Sequence, residues 1–138
     1  MAMATLQPML HVGDVDASLD FYQDVLGFTV GFTMTDATGR TMHAELDRNG
    51  VQLMLGSANE VSDAARSLLG AGLVLYIVDN DEDIDVLYEH VRDRGARVVE
   101  EIANRYWGDR TFTLKDTDGY LLTFARNVHA HDPAALRA

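Results

Sequence analysis

The sequence predicts an α+β protein made of two βαβββ modules. Two observations predict it. The first is a repeat. Leu10-His11-Val12-Gly13-Asp14-Val15-Asp16-Ala17-Ser18-Leu19-Asp20-Phe21-Tyr22-Gln23-Asp24-Val25-Leu26-Gly27-Phe28 reads as strand, capped helix, glycine stop and strand. Residues 75–80, 84–94, Gly95 and 98–99 read in the same order. The second is Arg48-Asn49-Gly50 between two alternating runs, because Asn-Gly favours the tight turn that joins hairpin strands. At 138 residues the chain has the size of one domain, 1–138. Within it we place modules at 5–56 and 73–127, a linker at 57–72 and a polar tail at 128–138.

The elements follow in order. Residues 6–12 form the first strand. Asp14 or Asp16 caps a helix whose apolar face carries Leu19, Tyr22 and Leu26, and Gly27 closes it. Residues 28–34 are the second strand, and 41–47 with 51–55 form the hairpin. A short helix is expected over 60–69, before the flexible Gly70-Ala71-Gly72 joint. Residues 73–78 open the second module. Asp81, Glu82 and Asp83 suit the positive end of a helix dipole, and Ile84, Leu87, Tyr88 and Val91 give that helix its apolar face. Strands at 98–101, 110–115 and 120–126 complete it.

Composition narrows the function classes. No run approaches the ~20 apolar residues needed to span a bilayer. Met1-Ala2-Met3-Ala4-Thr5 lacks the basic and apolar regions of a secretory leader, so a cytoplasmic address is expected. The absence of cysteine removes disulfides, thiolate metal sites and a cysteine nucleophile. A formal charge of -11 argues against a phosphate backbone as partner and favours a cationic ligand. Neither nucleic acid nor membrane is an expected partner. The chain has no phosphate-binding glycine loop, nucleophile elbow or His-Glu-x-x-His run. His129 and His131 lie in the tail.

Residues 5–127 resemble the vicinal oxygen chelate superfamily of glyoxalases, extradiol dioxygenases and bleomycin-resistance binding proteins. The resemblance rests on the N-terminal run quoted above, from Val12 to Phe28. It also rests on Trp107-Gly108-Asp109-Arg110 followed by Phe112-Thr113-Leu114-Lys115-Asp116-Thr117-Asp118-Gly119-Tyr120. Thr117 stands where the family usually has proline, a departure that concerns a turn. The resemblance implies two βαβββ modules forming a curved mixed β-sheet around a cavity, often in a homodimer. It also implies where a metal would be held in the family's enzymes. The four matching positions are Gln7, Gln52 or Met54, Leu73 and Thr123. Leucine donates no lone pair, thioether is a soft ligand, and no carboxylate remains to offset a divalent charge. We therefore expect no metal and no cofactor, which matches the bleomycin-resistance branch.

Strand alternation indicates what lines such a cavity. Gln7, Met9 and His11 share one face, as do Leu73, Leu75 and Ile77, and Leu121, Thr123 and Ala125. Phe32 and Met34 close one side. With Asn49-Gly50 as a two-residue turn, His43, Glu45, Gln52 and Met54 share a face. His43 and Glu45 are then candidates for an acid–base pair or a displaced metal site. Otherwise His43 sits at the rim and Glu45 makes a cross-strand salt bridge. Trp107 offers an indole for stacking or cation–π contact, or it plugs the sheet edge. Arg110 anchors an anionic group or pairs with Asp109 or another carboxylate. The expected ligand set is thus Gln7, Met9, Phe32, His43, Glu45, Gln52, Met54, Leu73, Leu75, Trp107, Arg110, Leu121 and Thr123. The leading expectation is binding of a small, partly aromatic molecule. The rivals are a glyoxalase-like lyase, isomerase or dioxygenase, and a domain kept for dimer contacts alone.

Overall fold

The computed structural model describes residues 3–128, so the expected tail beyond Val128, His129 and His131 included, lies outside the described residues. The chain divides between Ala71 and Gly72 into two compact units. The first runs β1 (Met9–Val12), α1 (Val15–Asp20), β2 (Thr29–Thr35), β3 (Thr41–Arg48) and β4 (Val51–Ser57). Its strands lie in the order β1-β4-β3-β2, with β1 parallel to β4 and the other pairs antiparallel. The second runs β5 (Val74–Val78), α3 (Ile84–Asp93), β6 (Arg97–Asn104), β7 (Asp109–Lys115) and β8 (Leu121–Asn127). Its order, β5-β8-β7-β6, repeats the first with the same parallel and antiparallel pairings. Each unit is therefore one βαβββ module.

Local chemistry explains the helix ends. The Asp14 carboxylate caps α1 by accepting from the Ala17 amide at 3.1 Å. Asp16, the alternative cap, instead accepts from the Thr41 hydroxyl at 2.5 Å and ties α1 to the start of β3. Beyond α1 the chain continues as a wider π-helical turn, Phe21–Val25, and reverses at Gly27 with φ of 77°. The Arg48 guanidinium donates to the Leu26 carbonyl at 2.8 Å, satisfying an acceptor the helix end leaves open. Asp83 caps α3 by accepting from Val86 at 3.2 Å. The expected helix at 60–69 is reduced to a 3₁₀ turn (Ala58–Glu60) and the single-turn α2 (Asp63–Arg66). Nothing between Asp63 and Arg66 is buried, so no packed face lets the helix propagate.

Alternation builds both cores. In the first module Leu10, Val12, Ala44, Leu46, Leu53 and Leu55 are buried with Val15, Tyr22 and Leu26 from the helical segment. Tyr22 packs edge-on to Phe28 at 5.6 Å. In the second, Phe112 stacks on Phe124 at 5.5 Å and meets Tyr88 of α3 at 5.1 Å, above Leu114 and Leu122. Each fully buried side chain of this size contributes about 1.5–3 kcal/mol. The helix-side face of each sheet is thus an apolar core, and the opposite face carries the polar residues. Among the described residues no helix is long and apolar enough to cross a membrane.

Candidate functional site

The hairpin register decides what the open face of the first sheet presents. Asn49 and Gly50 both have positive φ, 51° and 86°, as a type I′ turn requires. Arg48 then pairs with Val51, Asp47 with Gln52, and Glu45 with Met54. Met54 pairs in turn with Met9, and Gly56 pairs with both His11 and His43. Three rows result on the side away from the core: Gln52-Asp47, Met9-Met54-Glu45-Phe32 and His11-Gly56-His43-Met34. Gln7 joins the first row by donating to the Gln52 side chain at 2.9 Å. Gln7, Glu45, Asp47 and Gln52 line a pocket of about 110 Å³ with Gly31 at its edge.

Two glycines shape this face. Strict alternation would put Phe32 with Phe28 and Val30 on the core side. A register shift between Val30 and Phe32, with Gly31 as the extra residue, turns Phe32 and Met34 outward. Gly56 sits where a Cβ would meet the Met9 sulfur at 3.2 Å and the His11 ring at 3.3 Å. Its role is close approach, since its backbone does not adopt positive φ. The sequence reading ended its strand at residue 55 and missed Gly56. A glycine continuing a strand pattern was the available signal.

The second sheet corrects part of the expected lining. Leu75 pairs with Leu122 and Ile77 with Phe124, both core residues, so Leu75 and Ile77 face the helix. Leu73 precedes β5. The open face instead carries Val74 beside Leu121, Tyr76 beside Thr123 and Val78 beside Ala125. The cause is legible: residues 73–78 are apolar at every position, so no period of two sets the faces. Ile77, not Val78, is the counterpart of Val12. The position matching Gln7 is then Gly72, which has no side chain at all.

Tyr76, which sequence reasoning overlooked, organises this face. Its hydroxyl accepts from the Trp107 indole at 2.9 Å and donates to the Asp109 carboxylate at 2.5 Å. The directions are forced, because an indole N–H only donates and a carboxylate only accepts. Asn127 holds the other Asp109 oxygen at 3.3 Å. Lost hydration first, and then the Asp109 carboxylate, raise the Tyr76 phenol above its ordinary pKa, keeping it protonated. Tyr106 packs edge-on to Trp107 at 4.9 Å and is 61% exposed. Both lie in the turn between β6 and β7, closed by Gly108 donating to the Arg105 carbonyl at 3.1 Å.

Arg110 has a different task. It points to the helix side and grips Asp85 of α3, with Nη2 at 2.7 Å and Nε at 3.2 Å from both oxygens. Nη1 donates to Asn104 at 3.1 Å. Of the two expected roles, pairing with a carboxylate is the one the geometry supplies, and the carboxylate is not Asp109.

The family's metal positions do not fit a divalent ion. Gln7 is bonded to Gln52, Gly72 offers no donor, and the Thr123 hydroxyl shares a hydrogen bond with Thr113 at 2.7 Å. Among the described residues no three of His, Asp and Glu are grouped to hold a metal ion.

Two βαβββ modules with the same strand order define the fold class. The sequence pattern of the Glyoxalase/Bleomycin resistance protein/Dioxygenase superfamily matches residues 5–124, and the chain belongs to that superfamily. It is 27% identical over 128 residues to a bleomycin resistance protein of Geobacillus stearothermophilus, covering 88% of this chain and 95% of the relative. Its fold is similar to that of TioX from Micromonospora sp. ML1, with a TM-score of 0.74 and 24% identity over 91% of this chain and 100% of TioX. It is also similar to TnmS3, an antibiotic binding protein from Streptomyces sp. CB03234, with a TM-score of 0.70 and 21% identity over 92% and 98% of the two chains.

The Arg110 hydrogen bonds hold the Asp85 carboxyl below its ordinary pKa. A carboxylate with a depressed folded pKa adds stability above its unfolded value, about 3.9, and loses it as pH falls through the folded one. The melting-temperature gap between wild type and Asp85→Asn should be constant above about pH 5 and close below about pH 4. A gap unchanged at low pH would exclude the ionic origin.

Proposed function

We propose that the protein binds a small, partly aromatic molecule, an antibiotic or metabolite, on its open sheet faces without a metal. The observation that carries this reading is the Trp107–Tyr76–Asp109 chain of hydrogen bonds. It fixes the single tryptophan of the sequence in one orientation beside an exposed tyrosine. A preset aromatic surface binds a planar group at little cost in ordering. Asp109, with the net charge of -11, favours a cationic group on a ligand of the second sheet, as Glu45 and Asp47 do on the first. Gln7, Gln52, Met9 and Phe32 supply the same mixture of polar handles and apolar area on the first sheet. The bleomycin resistance relative and the antibiotic binding protein TnmS3 support the same reading.

Thermal shift against an antibiotic panel that includes bleomycin tests it. A ligand at ~100 times its dissociation constant adds about 2.7 kcal/mol, a rise of several degrees for a chain of this size. Trp107→Ala should remove most of that rise, and a panel with no responder would sink the reading.

We further propose a cytoplasmic homodimer, in line with the resemblance. Native mass spectrometry of protein purified without chelator should give about twice 15.2 kDa with no divalent metal adduct. One equivalent of bound zinc, iron or manganese would overturn the metal-free assignment.

The hairpin register also favours a second reading, acid–base chemistry by His43 and Glu45 from one face of β3. Turnover of a bound molecule that His43→Ala abolishes while leaving affinity intact would establish it. A bound molecule recovered unchanged excludes it.

A further inference from the structure

The outward positions of β4 are Gln52, Met54 and Gly56, and Gly56 has a histidine on each side. It pairs with His11 of β1 and with His43 of β3. Neighbouring strands lie about 4.8 Å apart, so the two histidine backbones stand about 10 Å apart with a glycine between them. A side chain at residue 56 would fill that interval. Without one, the Met9 sulfur lies 3.2 Å and the His11 Nε2 3.5 Å from the point where a Cβ would stand. A thioether and a ring nitrogen from β1 therefore converge over one backbone position. His43 shares their face, because its neighbour Ala44 is buried in the core. Metal–imidazole bonds are about 2 Å long, so two imidazoles with an ion between them reach across the glycine.

The donors decide which ion. Two imidazoles and a thioether are neutral and soft, a set that suits copper(I) rather than a hard divalent cation. Met54 pairs with Met9, and Met34 with His43, so further thioethers adjoin the same place. Glu45 pairs with Met54 in the adjoining row, and a single carboxylate offsets a monovalent charge but not a divalent one. The net charge of -11 draws a cation toward the chain. An imidazole has two ring nitrogens, so each histidine can bind an ion through one and keep a hydrogen-bond partner at the other. Met9, His11 and His43 are none of the positions that the resemblance matches to the family's metal.

We propose that Met9, His11 and His43 form a binding site over Gly56 for one soft monovalent cation, copper(I). Copper enters already reduced, and no electron is transferred. The site goes beyond the organic-ligand binding proposed above. It uses residues of the first module and neither requires nor excludes a molecule at Trp107.

The test titrates the full chain, without oxygen, against copper(I) held by bicinchoninate, and separately with silver(I), a soft stand-in that undergoes no redox change. One equivalent of either should bind. The Met9 methyl resonance of methionine-methyl-labelled protein should shift as it does. Met9→Leu nearly conserves volume and so keeps the fold, and it should weaken silver binding about ten- to a hundred-fold. His43→Gln should do the same. His129→Ala/His131→Ala should bind like the wild type, and zinc(II) should not displace the silver. The site is overturned if the chain withdraws no copper from the chelator, or if Met9→Leu or His43→Gln binds silver unchanged. Loss of binding with His129 and His131, or displacement of silver by zinc, overturns it equally. None of these outcomes alters the antibiotic panel that tests the organic-ligand reading.

Discussion

Period-two alternation is the constraint on which the rest of the molecule depends. A strand whose odd positions face a helix commits its even positions to the other side, and each module has helical cover for one side only. Once Ala44, Leu46, Leu53 and Leu55 are buried, His43, Glu45, Gln52 and Met54 have no choice of face. A one-residue slip would bury a glutamate and a glutamine and expose three leucines, a loss far larger than the stability of a typical domain tolerates. Asn49-Gly50 fixes the register that opposes this slip, so a two-residue turn determines the chemistry of the surface.

The two modules spend that freedom differently. The first keeps flexible thioethers, two histidines and a pair of amides on its open face, with glycines at 31 and 56 adjusting the relief. The second builds a fixed arrangement. Trp107, Tyr76 and Asn127 form a hydrogen-bonded network that converges on the two oxygens of the Asp109 carboxylate. Duplication of a fold therefore need not duplicate a surface: the core positions match, Leu10 with Leu75 and Val12 with Ile77, while the outward residues have diverged completely.

How much of this was legible follows from where the sequence carries a period. The duplicated βαβββ order, the helix caps and the hairpin register could be read because capping aspartates, Asn-Gly and clean alternation at 43–55 each have one structural solution. The lining of the second sheet was not legible, because residues 73–78 are apolar on both faces and give no parity. That cost Leu75 its expected place and hid Tyr76. Phe32 came out on its expected side only because Gly31 inserts a bulge, which alternation alone does not announce. Arg110 illustrates a third limit. Two carboxylates were within sequence reach, and only the packing of α3 showed that Asp85, not the adjacent Asp109, is its partner.

These placements also show what occupies the positions that the resemblance matches to a metal site. A divalent ion held by side chains from several strands demands charge and free lone pairs at each position. Here those positions are taken by groups that bond to neighbours: Gln7 to Gln52, and Thr123 to Thr113. On each sheet these positions present a neutral hydrogen-bonding group beside apolar side chains. That surface follows from exchanging side chains on the open faces while leaving the alternating core untouched.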